Sequence, residues 1–168
     1  MRLGRNAEAK RWLELAIELD SLFGAGYINF ADYHRRMGNE PEAQAILTTG
    51  IRILPTHGNL YYARSLGRVR TGNIDEALAD LKRAVALEPL NNQYAYVYAI
   101  ALHDKVNIND GIAVLSQAIE RQPNNGDLIR VMVYWQLAKG DYKTARQHMA
   151  RYQSLHPADP ILNQWRQS

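Results

Sequence analysis

The sequence predicts an all-α fold, a solenoid of antiparallel helix pairs, on three observations. Prolines 55, 89, 123 and 157 are each 34 residues apart, with no insertion or deletion between them. Glycines 38, 72 and 140 fall on the same period. Between each glycine and the next proline, small and large apolar residues recur four and then three residues apart, which is one helix face.

The complete units are 24–57, 58–91, 92–125 and 126–159; residues 1–23 form the back half of an earlier unit and 160–168 the first residues of a later one. With the first residue of each unit as position 1, position 20 holds Ala9, Ala43, Ala77, Gly111 and Ala145. Position 24 holds Leu13, Leu47, Leu81, Leu115 and Met149. Position 27 holds Ala16, Gly50, Ala84 and Ala118, with Tyr152 breaking the rule. Small residues let two helices approach closely while the leucines fill the space between them. The glycines suit a left-handed turn after a helix end, a role that Val106 takes over in the third complete unit. Acids such as Asp75 and Glu76 follow, where the next helix's dipole favours them. The prolines end the second helix. Each unit is therefore helix, tight turn, helix, then a proline-marked corner.

This pattern resembles the tetratricopeptide repeat family over essentially the whole chain. The match is tight in the second helix and loose in the first, where Tyr27 and Tyr61 match a large aromatic that Ala95 and Ile129 do not. The resemblance implies a right-handed superhelix that recognises a protein or peptide in its concave groove. It places Ile28, Asn29 and Asp32, then Tyr62 and Leu66, then Tyr96, Ile100 and His103, then Arg130 and Tyr134 in that groove. Arg35, Asn59, Val69, Gln93, Val97, Asp127 and Val131 share the same positions. The tyrosines with Leu66 and Ile100 would form an apolar floor, suited to a helix or extended peptide with apolar anchors. A carboxylate clamp built from lysine and asparagine is not restored by any consecutive pair of units.

"NNQYAYVYAIALHD", residues 91–104, alternates like a strand. The repeat register makes it a first helix. Residues two apart then point about 200° from each other, so Tyr96 faces the groove while Tyr94 and Tyr98 pack.

Arg64 and Arg68 stand at positions where the family prefers apolar residues. A guanidinium there must snorkel or find an acid; Asp80 and Glu42 are the candidates. With Arg35, Arg36 and Arg70 they would form a basic strip, read as structural rather than as a phosphate site. The chain starts and stops in mid-repeat, leaving Trp12 at one end and Ile161, Leu162 and Trp165 at the other without a polar cap. The expectation is a segment of a longer protein, with self-association through these ends as a consequence.

The remaining chemistry is sparse. There is no cysteine, which excludes disulfides, thiolate metal sites and cysteine nucleophiles within this chain. None of His34, His57, His103, His148 and His156 has a helical zinc-motif partner, and no phosphate loop or nucleophile elbow is present. The reading is a protein-binding scaffold, not an enzyme, with no metal or cofactor. Its rivals are an accessory array of a larger bacterial enzyme, secretion, polysaccharide or cytochrome protein, and a binder of anionic polymers. A formal charge of +3 argues against nucleic acid. No apolar run is long enough for membrane insertion. No signal peptide opens the chain, so the default compartment is the cytoplasm, or the periplasm if a parent protein is exported.

Overall fold

The computed structural model describes residues 2–165, and it is helical with short turns. The helices are α1 (Arg2–Leu19), α2 (Gly24–Arg36), α3 (Glu40–Ile53), α4 (Gly58–Arg70), α5 (Ile74–Leu87), α6 (Asn92–Lys105), α7 (Ile108–Arg121), α8 (Gly126–Lys139), α9 (Tyr142–Leu155) and α10 (Ile161–Trp165). First helices start at 24, 58, 92 and 126 and second helices at 40, 74, 108 and 142, so both follow the 34-residue register. The chain forms two compact units, Met1–Glu88 and Pro89–Ser168.

In the first unit α2 pairs with α3 and α4 with α5, while α3 also packs on α4 and α1 on α2. Tyr27, Ala31, Ala43, Leu47 and Leu60 form its buried core. Gly50 lies beneath the Tyr27 ring; a Cβ there would come within 2.8 Å of the ring's Cγ. None of the described side chains of α1 is fully buried, and Trp12 is 62% exposed.

In the second unit α6 pairs with α7 and α8 with α9, with α7 against α8 and α10 against α9. Leu115, Ile129, Met132 and Val133 are buried. Gly111 replaces the alanine of the other units for a steric reason. A Cβ at 111 would sit 2.7 Å from the Ala99 carbonyl oxygen and 2.9 Å from the Trp135 ring.

Gly38, Gly72 and Gly140 adopt φ of 76°, 80° and 79°, the left-handed turn that a side chain resists. Val106 takes φ −120° instead, and α6 runs on to Lys105 before it ends. Each second helix follows an Asn or Asp. The side chains of Asn39, Asn107 and Asp141 accept from the backbone N–H of Glu42, Asp110 and Thr144. The bond from Thr144 holds the Asp141 carboxyl below its ordinary range.

The alternating tyrosines separate as a helix requires. Tyr94 is buried, Tyr98 is half-buried with its hydroxyl pKa pushed up by burial, and Tyr96 is 37% exposed.

Ile161, at the end read from sequence as lacking a polar cap, is half-buried. Leu162 and Trp165 are buried. Trp165 packs on Tyr152, the residue that breaks the small-residue rule. Its ring meets Trp165 edge-on at 5.1 Å and His156 at 4.8 Å. Its hydroxyl donates to Asp159 Oδ2 at 2.6 Å, and Asp159 Oδ1 accepts from the Ile161 N–H at 2.9 Å. One carboxylate thus ties α9 to the start of α10.

Gly111→Ala should lower stability by about 1–3 kcal/mol through overpacking, although alanine is intrinsically the better helix former by about 1 kcal/mol. Urea unfolding checks this, and a rise in stability would show that Trp135 has room to move. The hydrogen bonds from Tyr152 and Ile161 hold the Asp159 carboxyl below its ordinary range. Its contribution to docking α10 is therefore full above the ordinary aspartate pKa and lost as pH falls through the lower folded value. The Trp165 indole resonance should report this acid release, and Asp159→Asn should abolish its pH dependence.

Candidate functional site

The first unit carries Ile28, Asn29, Asp32, Tyr62 and Leu66. Ile28 is half-buried and packs on the core, Asn29 is exposed, and Tyr62 and Leu66 are half-buried. Asp32 pairs with Arg35. Arg35 also donates to Glu40 Oε2 at 3.1 Å, and Arg70 lies 3.6 Å from that oxygen. Burial pushes the Glu40 carboxyl up, but hydrogen bonds from Gln44 and Arg35 and the charges of Arg35 and Arg70 outweigh it and lower the pKa. A hollow of about 220 Å³ in this unit is lined by Ile17, Phe30 and Ile46 among others, and by none of the predicted groove residues.

Arg64 and Arg68 share one acid. Arg64 binds Asp80 through two parallel bonds, Nε to Oδ2 at 2.8 Å and Nη2 to Oδ1 at 2.7 Å. Arg68 Nη1 donates to Asp80 Oδ2 at 2.6 Å and to the Glu76 carbonyl at 3.2 Å. Arg64 Nη1 reaches Thr48 Oγ1 at 3.1 Å. Asp80 is only 4% exposed. Glu42, the other candidate acid, forms no ion pair among the described residues. Arg35, Arg64, Arg68 and Arg70 all pair with acids of their own unit, whereas Arg36, the fifth arginine of the strip, is exposed and has no ion pair among the described residues.

The second unit carries Tyr96, Ile100, His103, Arg130 and Tyr134. Tyr96 and Arg130 come together at a hollow of about 320 Å³ flanked by α6 and α8. From α6 come Asn92, Gln93 and Tyr96. From α8 and its cap come Asn125, Asp127, Leu128, Arg130 and Val131. Gln93, Asp127 and Val131 share the groove positions assigned from sequence; Asn92, Asn125 and Leu128 were not anticipated. The signal for the two asparagines was the pair of strings "NNQ" at 91–93 and "NNG" at 124–126, each opening a first helix.

Ile100, His103 and Tyr134 do not line this hollow. Ile100 is half-buried. His103 stacks on Trp135 at 4.7 Å and 20° and meets Asp104 at 2.8 Å. Tyr134 is 44% exposed, with its ring edge against Trp165 at 6.1 Å.

The polar groups of the hollow are held in place. Asn92 Nδ2 donates to Gln122 Oε1 at 2.6 Å, and Gln122 Nε2 donates to the Leu90 carbonyl at 2.5 Å. Asn125 Oδ1 accepts from the Leu128 N–H at 3.1 Å. Arg130 Nη2 donates to Asp127 Oδ1 at 3.1 Å, which balances its charge. Among the described residues no group of His, Asp and Glu is gathered as metal ligands, and no helix is long and apolar enough to cross a membrane.

Residues 62–126 match the family model for the tetratricopeptide repeat. No curated protein matches the sequence significantly. Solved structures resemble the chain closely in fold. YrrB, described as a TPR protein with an unusual peptide-binding site, superposes with TM-score 0.68 at 17% identity over 99% of this chain and 86% of its own. MamA from Desulfovibrio magneticus RS-1 gives 0.68 at 19% identity over 95% and 90%. TTC0263, a thermophilic TPR protein of Thermus thermophilus, gives 0.65 at 22% identity over 81% and 75%. The fold is therefore that of a tetratricopeptide-repeat solenoid.

Asp80→Asn should cost about 3 kcal/mol, because it leaves two guanidinium groups in a largely buried site without their counter-charge. Arg68→Ala should cost less, since Arg64 keeps its paired bonds to Asp80. Thermal or urea unfolding of both variants checks the order, and equal, small losses would show that the arginines reach solvent instead.

Proposed function

We propose that this chain, which carries the tetratricopeptide repeat in residues 62–126 and has that repeat's fold, is a protein-interaction scaffold that binds a peptide segment along its first helices. The observation that carries the reading is the hollow flanked by α6 and α8, which Tyr96, Arg130, Leu128 and Val131 line together. Tyrosine and arginine around an apolar base is the composition of interface hot spots. Tyr134, with Ile100 and His103 beside it in register, is assigned to the same role in this unit. Ile28, Asn29, Asp32, Tyr62 and Leu66 are assigned to it in the first unit. The description of YrrB as having a peptide-binding site supports a peptide as the ligand class. A protein partner is favoured over an anionic polymer because Arg35, Arg64, Arg68 and Arg70 pair with acids of the chain itself.

A second reading is favoured by Trp12 and Leu19, exposed seven residues apart on one face of α1. They suit association with another polypeptide, a second copy included.

Peptides selected from a random display library on the immobilised chain test the first reading. Tyr96→Ala should weaken the selected peptides tenfold or more, about 1.4 kcal/mol, in a protein of unchanged helicity. Affinities that are equal across wild type and the Tyr62→Ala, Tyr96→Ala and Tyr134→Ala variants would remove the tyrosines from the binding surface.

A further inference from the structure

α1 is apolar on two sides. One side meets α2, where Ile17 packs against the core of the first unit. On the other side Trp12 is 62% exposed and Leu19 79%. Leu15, half-buried, falls between them. Residues 12, 15 and 19 are three and then four apart, the spacing of a seam between two helices.

The charges beside this seam are ordered. Lys10 and Glu14 satisfy each other at 3.4 Å. Arg11 and Glu18 are exposed, and neither forms an ion pair among the described residues. They stand seven residues apart, so both lie on the flank of the seam next to Leu15.

That order decides what can cover the face. A second α1 laid parallel would set arginine against arginine and glutamate against glutamate. Laid antiparallel, it brings its Glu18 to Arg11 and its Arg11 to Glu18, while the Trp12 side chains reach the leucines of the opposite helix. The flank is its own complement, since reversing it puts an acid opposite each base. Contacts with two-fold symmetry require such self-complementarity, and flanking charges set the orientation of paired helices.

We infer that α1 joins two copies of this chain as an antiparallel pair, with Trp12, Leu15 and Leu19 interleaved and an Arg11–Glu18 ion pair on either side of the two-fold axis. The inference rests on the second reading above and names its partner. α1 has 18 residues, a contact about 27 Å long. That places the interface at the small end of the range, so the dimer exchanges with the monomer.

Sedimentation equilibrium of the whole chain across a wide range of concentration tests this. The mass should rise from monomer to dimer. Trp12→Ala combined with Leu19→Ala should leave a monomer of unchanged helicity, because both side chains are exposed. Arg11→Glu or Glu18→Arg alone should weaken the dimer about fivefold, since each puts two like-charge contacts across the axis. The two exchanges combined restore both ion pairs with their signs reversed, and the affinity of the wild type should return. A parallel pair would gain no such rescue.

A monomer at every concentration overturns the inference. So does association that survives the loss of Trp12 and Leu19, or a double exchange that stays as weak as the single ones. If the chain is monomeric but display-selected peptides lose affinity in the Trp12→Ala, Leu19→Ala variant, the face serves another polypeptide and the second reading stands alone. If the chain is monomeric and no selected peptide depends on those residues, both fall.

Discussion

The rest of each unit depends on how closely the two helices of a pair can approach. At position 20 the chain offers a methyl group or less: Ala43, Ala77, Gly111 and Ala145, all buried. One turn further on, Leu47, Leu81 and Leu115 fill the seam and are fully buried. Each such leucine contributes about 1.5–3 kcal/mol, but only if the methyl contact lets the backbones close on it. Where the neighbour is as large as Trp135, even the methyl must go. The short turns depend on the same closeness. A left-handed glycine reverses the chain in a few residues, which suits two helices already in contact and would not span a wider gap.

This explains which parts of the fold were legible in the sequence. Helix ends and turns are set by neighbouring residues, so the prolines and glycines marked them without reference to the rest of the molecule. Val106 shows the limit of that logic. A valine does not adopt the left-handed conformation, and the helix before it closes without one. Tyr152 could be seen to break the rule but could not be explained, because its space is shaped by Trp165 and Asp159, on a different element and in the turn before it.

The candidate site was half legible for the same reason. The repeat register named Tyr96 and Arg130, and the two do meet at one hollow. It could not foresee that His103 would be taken up by Trp135, or that Tyr134 would lean on Trp165, since aromatic rings choose partners by side-chain geometry rather than by position in a repeat. Asn92 and Asn125 escaped notice because asparagines at the start of a helix read as caps. Asn125 does cap its helix, and it lines the hollow as well. Glu42 and Asp80 were both plausible partners for the arginines. The choice fell to the acid that Arg64 can grip with two bonds at once.

The shared grip of Arg64 and Arg68 on Asp80 also constrains how this sequence can drift. Two cations on α4 replace the apolar residues the repeat prefers there, and one anion on α5 pairs with both. No single change leads back to the apolar residues. Losing the acid strands two charges, and losing either arginine leaves an altered pairing in a nearly closed space. The three residues are therefore expected to be inherited as a block, exchanged together or kept together. In a set of related sequences their identities should covary more tightly than those of any three groove residues.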